Sequence, residues 1–392
     1  MNRPALPRGV IALGFVSLFM DASSEMVHSL LPIYLVSVLG VSAMSVGVIE
    51  GIAEATASIV KVFSGTLSDW IGKRKPLVLL GYGLGALTKP LFPLASGLGL
   101  VLTARFVDRI GKGIRGAPRD ALVADITPVE VRGAAYGLRQ SMDTVGAFAG
   151  PAVALLLMAA SGDNFRLVFW VAVVPAVLSV LLIVFGVQEP EVHVATTRRR
   201  IPIHRDELRR LPAAYWLVVA FASALTLARF SEAFLLLRAS NIGLAATYVP
   251  LVLIVMNVVY AASAWPFGHL SDRFDRRRLL ALGIGFLIAA DVALAAASSL
   301  WWVGLGTVLW GLHMGVTQGL LTVLIADAAP VDLRGTAFGV FNLLTGLTLL
   351  AASVLAGALW TAAGPAMTFA AGAGFSLLAL IGLLAASRGR SP

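Results

Sequence analysis

The chain has 392 residues, 58% of them hydrophobic and 13% charged, with a mean hydropathy of +0.88, which excludes an ordinary soluble domain. It holds no cysteine, so disulfides, thiolate metal sites and cysteine nucleophiles are excluded together. The formal net charge of +9 raises the question of a nucleic-acid partner, but the cations cluster in alternate loops between apolar runs, a pattern that points to a membrane instead.

A helix needs about 20 successive apolar residues to cross a bilayer. Twelve such stretches are predicted, at 10–37, 44–67, 77–95, 99–121, 134–158, 165–187, 213–238, 247–268, 279–298, 301–326, 335–360 and 366–386. Runs this long and apolar on all faces are helices, because barrel strands alternate in pattern and need only about 10 residues. The fold class expected is therefore an all-α membrane protein. The first run follows Arg3 and Arg8 and meets Asp21-Ala22-Ser23-Ser24 after Met20, which superficially resembles a secretory cleavage site. The apolar pattern resumes through Leu39, so a full spanning helix with charges inside it is expected. Asp21 lies about 20 Å along that helix from Arg8 at ~1.5 Å per residue.

Ionisable side chains at bilayer depth cost about 2.5–3.5 kcal/mol each even on lenient scales, so each is a functional candidate. In the first helix Asp21, Glu25 and His28 share one face, with Pro32 a further turn along. The second carries Glu50, Glu54, Ser58 and Lys61 as one stripe. In the fourth, Arg105, Asp108, Arg109, Lys112, Arg115 and Arg119 follow at steps of three or four and line a single face, with Arg115, Arg119 and Asp120 expected to snorkel to the interface. The fifth adds Arg139 and Asp143, then Gly146 and Gly150, whose spacing permits close helix packing, and Pro151, which removes a backbone bond.

A basic linker is predicted over 188–212. Beyond it charges thin out: Arg229 and Glu232 in the seventh helix, Asp291 in the ninth, and His313 with Gln318 in the tenth. Within the predicted spans the first half holds six acids (Asp21, Glu25, Glu50, Glu54, Asp108, Asp143) and seven bases (Lys61, Lys89, Arg105, Arg109, Lys112, Arg115, Arg139), which nearly cancel and favour ion pairing. Proton or ion coupling is therefore expected in the first half, with shape and apolar contacts supplied by the second. Asn257, Tyr260, His313 and Gln318 are expected to face a cavity, as are Tyr34 and Asn342; His313 equally fits a satisfied core histidine. Trp216, Trp265, Trp301, Trp302, Trp310 and Trp360 mostly fall near span ends, as interfacial anchors do. The loop cations, among them Lys73 to Lys75, Arg198 to Arg200 and Arg276 to Arg278, place both termini and the linker in the cytoplasm, with Arg166 and Arg238 as the main exceptions.

The chain repeats itself. LVADITPVEVRGAAYG at 122–137 returns as LIADAAPVDLRGTAFG at 324–339, an offset of 202, and the stretch Gly65 to Lys75 returns as Gly268 to Arg278 at an offset of 203. The first copy, Gly65-Thr-Leu-Ser-Asp69-Trp-Ile-Gly-Lys73-Arg74-Lys75, resembles the signature between the second and third helices of the major facilitator superfamily, and the resemblance covers the whole chain. It implies two pseudo-symmetric six-helix bundles, here 1–187 and 213–392 joined by 188–212, with a solute path between them and rocking of one against the other. It also implies a gate at Gly65, Asp69, Lys73, Arg74, Asp272 and Arg276, where Gly65 allows close approach of another helix.

Arg105 matches the arginine of the superfamily's fourth-helix motif, which the resemblance ties to proton translocation in exporters. The neighbourhood departs from that motif, reading Arg105-Phe-Val-Asp108-Arg109-Ile-Gly111-Lys112-Gly113, which points to a more polar solute or a tighter charge network. Gly146 to Pro151 resembles the motif of the proton-driven antiporters. Asp21 and Glu25 are thus the expected proton carriers, with Arg105 or Arg109 as switching partner and Asp108 beside them, since a buried acid next to a mobile guanidinium changes its hold on a proton when the bundle rocks. The substrate-facing set is His28, Glu50, Glu54, Lys61, Lys112, Arg139, Asp143, Arg229, Glu232, Asn257, Tyr260, His313 and Gln318.

The function expected is proton-coupled efflux of a small organic molecule or drug across a cytoplasmic (inner) membrane by a monomeric, lipid-embedded carrier, with no cofactor and no resident metal. Efflux of a divalent metal cation by Asp21, Glu25 and His28, or uptake of an anionic metabolite by the basic fourth helix, are the alternatives. No nucleophile elbow, zinc-binding His pair, phosphate loop or cofactor fingerprint points to an enzyme.

Overall fold

The structure, a computed structural model, describes residues 5–189, 205–271, 274–330 and 333–388. Twelve long helices follow one another among them: α1 Arg8–His28, α2 Ala43–Ile71, α3 Lys75–Thr88, α4 Leu98–Ile126, α5 Arg132–Ser161, α6 Phe165–Gly186, α7 Ala213–Ala228, α8 Pro250–Ser271, α9 Arg276–Ala295, α10 Leu300–Ala328, α11 Arg334–Ala363 and α12 Pro365–Arg388. Each answers to one predicted stretch. Counted with their short continuations, ten are long and apolar enough to cross a membrane. The other two, α2 and α4, are 29 residues each and carry the charge stripes.

Local chemistry sets the breaks. α1 ends at His28, and beyond Pro32 the chain runs on through a π-helical turn, Tyr34–Val38, where Ser37 donates to the Ile33 carbonyl at 2.7 Å. Gly162 and Asp163, both in the left-handed region at φ +63° and +64°, close α5. The Asn164 side chain then accepts from the Leu167 amide and caps α6, as Asp275 caps α9 through Arg277. The helix of α7 stops at Ala228 and resumes as Ala233–Asn241, which leaves Arg229 and Glu232 in the break.

Contacts divide the chain into two compact units, one of 1–31 with 56–204 and one of 32–55 with 205–392, so α2 contributes to both. In the first, α1 packs on α5 and α6, and α3 packs on α4 and α6. The second repeats those pairings as α7 with α11 and α12, and α9 with α10 and α12, so the sequence repeat is also a repeat of packing.

Small residues make the close crossings. A Cβ at Gly146 would lie 2.6 Å from the Leu18 carbonyl oxygen and 3.0 Å from Asp21 Cβ; at Gly150 it would lie 2.5 Å from the Ala22 carbonyl oxygen and 2.7 Å from Glu25 Cβ. Gly81 of α3 meets the Gly111 carbonyl of α4 in the same way, and Gly113 of α4 meets Ala57 and Val60 of α2. Gly137, on α5 as well, has nothing within 4 Å of its Cβ position. Gly150→Ala is therefore expected to destabilise by about 1–3 kcal/mol through overpacking. Gly137→Ala is expected to be neutral or to stabilise by about 0.5–1 kcal/mol through reduced chain entropy. Thermal unfolding of both variants in detergent checks this; equal shifts would show that the crossing is not tight.

Candidate functional site

In the first unit the ionisable groups meet one another. Lys89 follows α3 and Asp108 stands on α4, and the close α3–α4 crossing brings Lys89 Nζ to 2.9 Å from Asp108 Oδ1 with both side chains buried. Lys89 also donates to Ser24 Oγ of α1 at 3.1 Å, and Arg109 Nε stands 3.8 Å from the second Asp108 oxygen. Side chains of α1 and α4 thus meet Lys89 at the end of α3 in one buried ion pair, where pairing offsets the cost of desolvation.

A second cluster lies further along α4. Arg119 Nη1 donates to Ser17 Oγ at 3.0 Å and to the Tyr82 hydroxyl at 3.3 Å, and lies 3.8 Å from Asp143 Oδ1. Its Nε donates to Asp120 Oδ1 at 3.3 Å. Arg139 Nη1 donates to Asp143 Oδ2 at 2.8 Å and lies 3.6 Å from Asp120 Oδ1. The Arg115 guanidinium, buried, sits 4.6 Å over the Tyr82 ring. Arg115 and Arg119 therefore turn inward onto α1 and α3 rather than snorkelling, because Tyr82 offers a ring face to one and a hydroxyl to the other.

Asp21 and Glu25 stand between these clusters, half-buried, with Gly146 and Gly150 of α5 pressed against their Cβ atoms. Arg115, Arg119, Lys112 and Asp143 lie within electrostatic reach of Asp21, and Lys112 and Arg109 within reach of Glu25. Glu25 Oε2 is 3.6 Å from Nδ1 of His28, one turn on. Of the two expected switching partners, Arg109 reaches Glu25, and Arg105 is buried on the same helix. Lys112 is exposed, as is Lys61, whose stem runs along α4 at Gly116. Glu50 is buried and Glu54 half-buried, both in the part of α2 that belongs to the second unit.

The second unit holds a sparser set. Tyr260 of α8 donates to Gln318 Oε1 of α10 at 3.3 Å, and Arg229 lies within reach of Glu232 and Tyr260. Asn257 is half-buried one turn before Tyr260. His313 is fully buried with Nδ1 2.8 Å from the Gly283 carbonyl oxygen, the geometry of a core histidine. Arg238, expected among the loop cations, is buried and donates to the carbonyls of Leu294, Ala295 and Ala297 at the end of α9. Among the described residues, no three His, Cys, Asp or Glu side chains are placed to hold a metal ion.

At the helix ends carrying the repeated motif, Arg74 Nε donates to Asp125 Oδ2 at 3.2 Å and its Nη1 to Ser68 Oγ at 2.8 Å. Arg276 Nη1 donates to Asp327 in the second unit, where Asp327 is the counterpart of Asp125 at the offset of 202 and Arg276 that of Lys73 at 203, so an equivalent contact forms one residue out of register. The Arg74 and Lys75 amides each donate to Glu189 at 2.7 Å, which caps α3. A Cβ at Gly65 would lie 3.3 Å from Ala117 Cβ, so Gly65 does admit a neighbouring helix, and Lys73 is exposed. The Asp69 side chain and Asp272 lie outside the described residues. Tyr82, Ser17 and Ser24 carry no expected role in the sequence, and Lys89 counts there only among the bases expected to pair. Asp125 and Asp327 had a signal, since both fall inside the repeated stretches.

Residues 13–237 and 226–392 match the profile of the Major Facilitator Superfamily. The chain is 34% identical to the MFS-type transporter MJ1317 of Methanocaldococcus jannaschii, over 98% of this chain and 95% of that one. It is 28% identical to the multidrug resistance protein MdtH of Proteus mirabilis, over 52% of this chain and 46% of that one. Among solved structures, a bacterial homologue of the human lysosomal transporter Spinster, inward-facing and unoccupied, superposes with a TM-score of 0.79 at 16% identity, over 98% of each chain.

Proposed function

This chain belongs to the major facilitator superfamily, and from that premise we propose that it exports a small organic solute by alternating access in exchange for protons. The observation that carries the reading is the convergence of Asp21, Glu25, Asp108 and Asp143 with lysines and arginines from four helices inside one unit. Charges of both signs, packed where each pairing depends on helix position, convert a proton's arrival into helix movement. Asp21 and Glu25 carry the proton, with Arg109 and Arg119 competing for them. Arg105, Asp108 and Lys89 hold α3 and α4 in register. The candidate solute contacts are His28, Lys61, Lys112, Arg139 and Asp143 in the first unit and Glu50, Glu54, Arg229, Glu232, Asn257, Tyr260 and Gln318 in the second, with His313 left to the core.

Export of an organic compound is favoured by the likeness to a protein named for multidrug resistance and by the glycine and proline pattern of α5. The contacts Arg74–Asp125 and Arg276–Asp327 act as the gate, assisted by Lys73, Gly65, Asp69 and Asp272. The carrier works as a monomer in a cytoplasmic membrane with both termini inside, an orientation supported by the alternation of basic loops.

Proteoliposomes test this. Compounds that raise the melting temperature of the purified protein are selected from organic cations, organic anions and divalent metals, then offered as labelled solutes. An imposed proton gradient is expected to drive their accumulation, and an ionophore to abolish it. Flux indifferent to the gradient would remove proton coupling, and stabilisation by metals or anions alone would remove the organic solute.

A further inference from the structure

The one carboxyl of α9 among the described residues belongs to neither cluster. Asp291 is completely buried, and neither of its oxygens has a hydrogen-bond partner. Its Oδ2 lies 2.7 Å from where a Cβ on Gly372 of α12 would stand, and a Phe230 ring carbon lies 3.1 Å from the same point. Phe230 packs in turn on Trp310, Phe234 and Phe369, at centroid distances of 5.7, 5.4 and 5.4 Å. The carboxyl is therefore set against packed aromatic rings, with the absent side chain of Gly372 leaving it room.

The charged and titratable groups of the neighbouring elements are engaged elsewhere. His313 of α10 meets α9 at Gly283, two turns from Asp291, or about 12 Å along the axis at ~1.5 Å per residue. Arg238 spends its donors on Asn241 and on the Leu294, Ala295 and Ala297 carbonyls. Arg229 and Glu232 lie within reach of one another and of Tyr260. Among its described residues 365–384, α12 has no titratable side chain. His269 of α8 stacks on Trp265.

A bare carboxylate in such surroundings is forbiddingly costly unless it is neutralised. A metal or sodium ion needs several further oxygen ligands, whereas neither carboxyl oxygen has a polar partner and a ring edge and a glycine lie against the group; a proton needs none. We propose that Asp291 is a proton-binding site of the second unit. Its carboxyl carries a proton in this conformation, and the O–H bond breaks to water only when α9 and α12 part enough to admit it. The site is independent of the exchange proposed for the first unit and stands or falls without it.

Infrared spectroscopy of the purified protein at neutral pH tests this. The wild type is expected to show a protonated-carboxyl C=O band that Asp291→Asn or Asp291→Leu removes, either folded variant sufficing. A band left unchanged by the substitution would overturn the proposal. Should neither variant fold, carbon-13 labelling of the aspartate carboxyls in the Asp21→Asn protein decides: a protonated band that moves with the label is expected, and the absence of any protonated aspartate band would overturn it.

Discussion

Asp21→Asn and Glu25→Gln are each expected to reduce proton-driven flux to the level of empty liposomes, while exchange of labelled for unlabelled solute continues. Both replacements keep the shape of the side chain and remove only its capacity to lose a proton. The backbone of α1 at these positions is clasped by Gly146 and Gly150 and does not depend on the charge. With Asp21 permanently neutral, Arg115 and Arg119 keep Tyr82, Ser17 and Asp143 and have nothing to exchange for. With Glu25 neutral, His28 loses a charged neighbour at 3.6 Å and Arg109 keeps Asp108. The helix then moves with the solute alone. Driven and exchange fluxes measured side by side separate coupling from folding; full driven flux in both variants would take these carboxyls out of the mechanism.

Lys89→Met is expected to destabilise the protein by about 3–5 kcal/mol, because removing the closest partner leaves the Asp108 charge buried with Arg109 at 3.8 Å and the Arg115 charge nearby as poorer compensation. The double variant Lys89→Met with Asp108→Leu is expected to recover most of that loss, since an apolar pair of similar volume carries no desolvation penalty. Unfolding in detergent of wild type, both single variants and the double variant forms the cycle. Singles within about 1 kcal/mol of wild type would mean that water reaches the pair and screens it.

Ten of the helices were legible as apolar runs, because a run of about 20 apolar residues has few other stable forms in lipid, while α2 and α4 were legible by the helical spacing of their charges. The clasp of α5 on α1 was also legible, since Gly146 and Gly150 stand one turn apart and announce a close crossing wherever the partner comes from. The partner of Asp108 was not. Lys89 is 19 residues away on the preceding span, and the pairing exists because Gly81 and Gly111 let α3 and α4 approach, a property of two helices together. Periodicity put Arg115 and Arg119 on the charged face of α4 but could not say that Tyr82 and Ser17 wait opposite, so they read as residues reaching for the surface. Arg238 misled for a related reason: next to a loop in sequence, it is folded back onto the carbonyls that end α9.

The paired hooks Arg74–Asp125 and Arg276–Asp327 are partly open to solvent, with side-chain exposures of 20% and 26% in one and 36% and 57% in the other. Ion pairs so placed are worth about 0–1 kcal/mol each, little more than thermal agitation. For the gate proposed above such frailty is an asset: a firm bolt would hold a carrier in one posture, whereas two feeble catches would set only a preference, open to reversal by a single bound solute.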